Sequence, residues 1–232
     1  MDRERLVIDE RRPIHPRSGL RHSLERVGGA ILGIGLAALK WGVFFGKFFS
    51  FFISVAAFSF WFHSWSFGFG FVLMIAIHEL GHIVEARRQG LRVSWPTFIP
   101  FFGAYVTIER AGLTPWRNAR IALAGPLFGG AAAAVVWALA GARDSEMLHV
   151  LANMGFLINA FNLLPVGFLD GGQTVHAARE AWRMPVIQFE GGVPVQAFAP
   201  DRSRAVAIVA VYLGLAALLV IGMLATRVNG ML

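Results

Sequence analysis

Residues 71–84 read FVLMIAIHELGHIV, which places two histidines and one glutamate inside an apolar run. On a helix, positions i and i+4 lie on one face, so His78 and His82 of this H-E-x-x-H pattern can reach one metal ion. Glu79 is then placed to reach a water on that metal and not the metal itself. Ionisable groups in a membrane-length apolar run are costly unless they pair, bind metal or line a wet cavity. The stretch therefore predicts a metal site inside a membrane helix.

The composition is that of a membrane protein. Of the 232 residues, 56% are hydrophobic and 15% are charged, and 21 are Phe. The formal net charge of +7 comes mainly from arginines spread between apolar runs. The positive-inside rule explains that spread, and we expect no nucleic-acid partner. The chain contains no cysteine, so a zinc ion here would need His, Asp or Glu ligands.

Five apolar segments have about the length that crosses a bilayer. They are residues 41–62, 67–84, 121–140, 148–169 and 205–225. We take residues 28–232 as one membrane domain, in which residues 28–40 either lie in the interface or extend the first helix. Residues 1–27 are expected to form a basic, largely disordered cytoplasmic tail. The predicted fold class is an all-α polytopic membrane protein with about five transmembrane helices.

The arginines orient these spans. With the N-terminus inside, seventeen arginines fall on the cytoplasmic side and two on the other. The positive-inside rule then places the loop of residues 85–120 in the cytoplasm. We expect a multi-pass protein of the cytoplasmic membrane of a prokaryote, in contact with the lipid bilayer. The sequence gives no indication of the oligomeric state.

An apolar, β-prone stretch, WPTFIPFFGAYVTI, follows the second span at residues 95–108. We expect it to form a small membrane-associated β-hairpin, and two interpretations stay open. It is either a strand pair that lies on the bilayer or a sheet edge beside the metal that pairs with an extended peptide. The second interpretation makes Phe101, Gly103, Tyr105 and Val106 candidates for substrate pairing.

A third metal ligand is needed if a fourth position is to stay open for water. Asp170 closes the fourth predicted span, and alone it would be interpreted as a turn residue beside glycines. The two histidines make it the best-placed carboxylate for the metal. Asn153 and Asn159 are expected to form interhelical hydrogen bonds. Asn162 is singled out for the site because it lies about two helical turns before Asp170.

Four stretches, in this order, carry a family resemblance: HELGH at residues 78–82, FIPFFGA at 98–104, AGPL at 124–127 and NLLPVGFLDGG at 162–172. Over residues 40–180 the chain resembles the site-2 protease family of intramembrane zinc metalloproteases. Without the resemblance, AGPL would be assigned to helix packing, with a kink at Pro126.

The resemblance implies zinc held by His78, His82 and Asp170, with Glu79 as the catalytic base. It places Asn162 beside the site, where it would help to position the substrate or the transition state. It implies hydrolysis of peptide bonds in or near transmembrane segments of regulatory or signal proteins. With no room for a PDZ domain between the spans or for a cystathionine-synthase-type domain after Asp170, the expected form is a minimal prokaryotic one.

Two other functions remain as alternatives. A metal transporter would need polar groups along a path across the membrane, whereas here they gather at one end. A catalytically silent scaffold with structural zinc would usually close its site with four protein ligands, and the chain offers three good ones. Neither explains the glutamate that follows His78 as directly as hydrolysis does.

Overall fold

The computed structural model describes residues 19–109, 113–183, 186–190, 193–198 and 200–226. Its helices are α1 (Gly19–Trp61), α2 (Trp65–Arg88), α3 (Pro115–Arg143), α4 (Glu146–Asn162), α5 (Asp170–Arg183) and α6 (Arg202–Ala225). Its strands are β1 (Thr97–Ile99), β2 (Gly103–Tyr105), β3 (Val186–Glu190) and β4 (Val193–Phe198), which form two antiparallel hairpins. The chain divides into two compact units, residues 1–46 and 47–232. The site discussed below belongs entirely to the second unit.

Four helical segments of the described chain are long and apolar enough to cross a membrane. They are Gly35–Trp61, Trp65–Arg88, Pro115–Arg143 and Arg202–Ala225. The protein is therefore an integral membrane protein, and the predicted fold class of apolar helices with a small hairpin after the second span is confirmed. Residues 28–40 lie within α1 and so extend the first helix. Of the predicted tail, residues 1–18 lie outside the described residues.

The fourth predicted span differs from the structure. It becomes α4, a helix of 17 residues, about 25 Å long, against an apolar bilayer thickness of about 30 Å. A proline disfavours helical conformation in the residue before it, and Pro165 follows the helix end at Asn162 by three positions. The carbonyl of Leu163, just beyond the helix, accepts a hydrogen bond of 2.6 Å from the Tyr212 hydroxyl of α6.

This early end changes the position of Asp170. The expectation that it closes the fourth span is wrong, because the chain turns after α4 and Asp170 is the first residue of a new helix, α5. The helix packs against both α3 and α6. Its buried face consists of small residues, including Ala177, Ala178 and Ala181. The carboxylate is thus carried by a short helix seated on two longer ones.

Polar side chains cap the starts of several helices. Ser64, Thr114 and Ser145 precede α2, α3 and α4, and each accepts a hydrogen bond from a backbone N–H of the first turn. Asp201 caps α6 by accepting from the backbone N–H of Arg204 at 3.0 Å and from the Ser203 hydroxyl at 2.7 Å. These two hydrogen bonds hold the pKa of the Asp201 carboxyl below its usual value.

The β1–β2 hairpin runs alongside α1. The ammonium of Lys47 donates to the carbonyl of Trp95 at 3.0 Å, and the backbone N–H of Phe98 donates to the hydroxyl of Ser50 at 3.1 Å. At the hairpin turn, the ring of Phe101 lies 5.7 Å from that of Trp61. These contacts extend over fourteen residues of α1, or about 21 Å of helix, so the first strand follows the helix axis.

Candidate metal centre

Three donor atoms from α2 and α5 form a nearly equilateral triangle. The Nε2 atoms of His78 and His82 lie 3.2 Å apart, and Oδ2 of Asp170 lies 3.1 Å from the first and 3.3 Å from the second. Ligands held at about 2.0–2.1 Å by a tetrahedral zinc ion lie about 3.3 Å from one another. The donor set and its spacing therefore fit zinc with one further position left open.

Both imidazoles are held in the tautomer that a metal requires. The carbonyl of Ile121 in α3 can only accept, so the 2.8 Å contact with Nδ1 of His82 means that this nitrogen carries the proton. Nδ1 of His78 lies 2.8 Å from Oδ1 of Asn159 in α4. The amide of Asn159 is oriented in turn because its Nδ2 donates to the carbonyl of Gly155 at 2.7 Å. Each Nε2 lone pair thus points into the triangle, as metal-binding histidines usually are arranged.

Two glycines of α3 make this arrangement possible. A Cβ atom at Gly125 would overlap the His82 ring, and one at Gly129 would overlap the side-chain amide of Asn159. The AGPL stretch alone predicts helix packing, and in the structure Gly125 packs directly against the ring of His82. Glycine is required here for close approach, because any side chain would displace a candidate ligand or its orienting partner.

Glu79 lies beside the triangle. Its carboxylate belongs to a group of donors with His78 and His82 that all lie within 4.8 Å of one another. On this grouping alone, Glu79 could be the third ligand. Oδ2 of Asp170, however, lies 3.1 Å from Nε2 of His78 and 3.3 Å from Nε2 of His82. Oδ2 of Asp170 is thus within 3.3 Å of both Nε2 atoms and completes the triangle of donors. Glu79 is a second buried carboxylate, beside this triangle.

The other predicted site residues lie outside α2 and α5, the helices that carry the three donors. Asn162 is the half-buried last residue of α4, and its side chain makes no hydrogen bond among the described residues. Of the four candidates for substrate pairing, Gly103 and Tyr105 lie in β2, whereas Phe101 is in the turn with φ of 66° and Val106 follows the strand. The expectation that Phe101 belongs to a pairing strand is wrong, because the turn begins at Pro100.

Sequence reasoning missed the two groups that orient the histidines. Asn159 was assigned an interhelical hydrogen bond, which it makes, but its partner is the candidate ligand His78. By contrast, Asn153 donates to the carbonyl of Met223 in α6, as expected of a packing residue. Asn159 and Asn162 are three residues apart, so both lie near one face of α4. This spacing was the sequence signal that could have placed Asn159 at the site. The role of Ile121 could not be predicted from its residue type, because the group that contacts His82 is a backbone carbonyl.

Comparison with known proteins agrees with this geometry. Residues 66–145, which contain α2, the β1–β2 hairpin and α3, match the model of peptidase family M50. This matched segment, about a third of the chain, is similar to peptidase family M50. The resemblance to the site-2 protease family expected from the sequence is thereby confirmed.

Curated proteins similar to this chain carry names that agree with the family match. "Putative zinc metalloprotease Rip3" of Mycobacterium tuberculosis is 35% identical over 164 residues, which are 66% of this chain and 40% of that protein. "Putative zinc metalloprotease sll0528" of Synechocystis is 29% identical over 122 residues, 50% of this chain and 31% of the relative. "Zinc metalloprotease MJ0392" of Methanocaldococcus jannaschii is 26% identical over 110 residues, 44% of this chain and 31% of the relative.

The chain spans less than half of the length of these curated relatives, 40% in the case of Rip3. Asn159 and Asp170 lie beyond the segment that matches the M50 model. Their part in the site therefore depends on the geometry described above and on the sequence, and not on the family match.

Proposed function

We propose that the protein is an intramembrane zinc metalloprotease that hydrolyses peptide bonds in or near transmembrane segments of other membrane proteins. The observation that carries the proposal is the triangle of two imidazole nitrogens and one carboxylate oxygen, with sides of 3.1 to 3.3 Å, inside a helix bundle. A second buried carboxylate beside it fits hydrolysis better than metal storage. The names of the M50 relatives support the choice of zinc.

In this mechanism His78, His82 and Asp170 hold the zinc ion. Bound zinc supplies a Lewis acid that acidifies water and polarises a carbonyl group. Glu79 takes the proton of the attacking water and returns it to the leaving amine. Asn159 keeps the His78 ring in its metal-binding orientation throughout the cycle.

The substrate must be extended before it can react, because a helix hides its carbonyls in i→i−4 hydrogen bonds. The free edge of the β1–β2 hairpin offers a backbone with which an unwound segment can pair. Gly103 and Tyr105 of β2 and Val106 directly after it are the proposed partners. Asn162 at the end of α4 is the proposed contact for the substrate or the transition state. Regulated intramembrane proteolysis in a prokaryotic cytoplasmic membrane, with the N-terminus inside, is the corresponding biological setting.

The decisive experiment replaces Glu79 with Gln and measures cleavage of co-expressed single-span proteins and zinc content in the same preparation. Gln keeps the shape but cannot accept the proton, so cleavage should fall by about a hundredfold to ten-thousandfold while zinc remains bound. Glu85→Gln is the matched control. Glu85 is another buried glutamate of α2, but it pairs with Arg120 at 2.7 Å and has no place in the triangle.

Two results would contradict the proposal. Unchanged cleavage in zinc-replete Glu79→Gln would remove the residue as the base. Wild-type protein that binds zinc but cleaves nothing in a broad panel of single-span proteins would favour a catalytically silent scaffold. For a transporter, purified protein in proteoliposomes would move metal across the membrane and would cleave no peptide.

A further inference from the structure

A groove of about 550 Å³ lies between α5 and α6, away from the metal triangle. Its walls are apolar and its charges are confined to arginines. Its α5 side includes Arg179, Trp182 and Arg183, and its α6 side includes Val209, Ala210 and Leu213. Both arginines of the lining are on α5, whereas the α6 wall is purely apolar.

The charged end of the groove carries uncompensated positive charge. Arg179 and Arg183 are exposed, and among the described residues neither forms an ion pair or a hydrogen bond. Arg202 adds a third guanidinium, which lies 5.4 Å from the centre of the Trp182 ring. Of the nearby acidic side chains that the structure describes, Glu180 lies 3.4 Å from His176 and Asp201 lies 3.0 Å from Arg204, and neither pairs with Arg179 or Arg183.

The groove has the dimensions and the position of a lipid site. Helix α6 is apolar enough to cross the membrane and begins at Arg202, and its last groove residue, Leu213, lies eleven positions further, about 16 Å along the helix. The arginines and Trp182 therefore lie at the membrane boundary, where tryptophan is enriched. The apolar wall extends from there toward the membrane interior.

We infer that this groove binds an anionic phospholipid, with its phosphate on Arg179 and Arg183 and an acyl chain along α6. Basic pockets between membrane helices on the cytoplasmic side select anionic head groups, and the uncompensated charge supplies that selectivity. Soluble phosphate would leave the apolar wall uncovered.

Binding here would act on the helix that carries Asp170. The lipid would fill the space between α5 and α6, and α6 also holds the carbonyl of Leu163 through Tyr212. The turn between α4 and α5 begins at Leu163 and ends at Asp170. A lipid packed against both α5 and α6 would therefore support each end of this turn. The inference does not depend on proteolysis and is tested without it.

The test is native mass spectrometry of the purified protein with equimolar phosphatidylglycerol and phosphatidylcholine of the same acyl chains. Wild-type protein should retain one molecule of phosphatidylglycerol in preference to phosphatidylcholine. In the double variant Arg179→Gln/Arg183→Gln its affinity should fall by about tenfold to thirtyfold, since each basic contact near the surface is worth about fivefold. The matched control, Arg87→Gln/Arg92→Gln, removes the same charge from exposed residues outside the groove and should retain the lipid.

A second variant covers the case in which the double variant does not fold. Ala210→Trp fills the apolar wall without changing the charge, and it should also lose the retained lipid. Equal retention of the two lipids by wild type, or equal losses in the two double variants, would overturn the inference. Val209→Cys in this cysteine-free chain gives a further check. Efficient disulfide dimers through Cys at that position in phosphatidylglycerol bilayers would show that a second copy occupies the groove instead.

Discussion

The triangle of donors includes two side chains of α2, and the β1–β2 hairpin packs against the same helix, yet the two regions are held in different ways. In the triangle, each imidazole is fixed by a hydrogen bond of 2.8 Å to another helix, and glycines bring the helices into close contact. The hairpin is held by ring contacts and by two side chains of α1, and Phe102 at its turn is 89% exposed. The difference teaches that this molecule preorganises the atoms that would bind metal and leaves the proposed substrate edge adaptable. Substitutions in the two regions should therefore separate metal binding from cleavage.

The largest effect on the triangle is expected from Asp170→Ala. Removing one of three donors should abolish stoichiometric zinc binding and, with it, cleavage. His78→Ala should do the same, and metal analysis of purified protein measures both. Full zinc occupancy in Asp170→Ala would take this residue out of the ligand set and return the third position to Glu79.

Asn159→Leu should have the next largest effect. It leaves all three donors in place but removes the acceptor of the His78 Nδ1 proton, and loss of such orienting partners typically weakens metal affinity by about tenfold to a hundredfold. Zinc affinity measured by competition with a chelator is the readout. Asn153→Leu, on the same helix but bonded to Met223, is the control and should leave zinc affinity unchanged. Equal affinities in the two variants would show that the hydrogen bond does not orient the ring.

Gly125→Ala tests the close approach of α3. The added methyl group would overlap the His82 ring, and overpacking of this kind costs about 1–3 kcal/mol. Zinc affinity and thermal stability should both fall. Gly141→Ala, on the same helix with nothing within 4 Å of its new Cβ, should be neutral or slightly stabilising. A neutral Gly125→Ala would mean that the ring has room to move.

Val106→Pro should have the smallest effect on zinc and a large one on cleavage. Proline removes a backbone donor from the hairpin edge, whereas Val106→Thr keeps it and should be mild. Cleavage and zinc content are measured on the same preparation, because lost zinc would show that proline has disturbed the whole centre. Full activity in both Val106→Pro and Tyr105→Pro would reduce the hairpin to a structural element.

Local patterns predicted a good part of this structure. The spacing of His78 and His82 fixed their common helix face, and the need for a third ligand selected Asp170 from the remaining carboxylates. Pro165 indicated that α4 ends early, but the apolar run continues to residue 169 and therefore predicted a longer span. The β3–β4 hairpin was not predicted, although two glycines separate its strands and favour a tight turn.

What the sequence could not supply is contact between elements. The hydrogen bond from His82 ends on the carbonyl of Ile121, a group that every residue possesses, so no residue type marks it. Asn159 and Gly129 become partners only when α3 and α4 pack at close range. These contacts follow from the packing of three helices, which no pattern within one helix specifies.

The dependence of both imidazoles on other helices has a consequence for biosynthesis. As the ribosome releases the chain, α2 enters the membrane with His78 and His82 but without their orienting partners, which follow on α3 and α4. The carboxylate arrives last, at position 170. A chain interrupted before that point contains the whole H-E-x-x-H stretch and still lacks the third donor, so the proposed metal centre can form only after the start of α5 has been made.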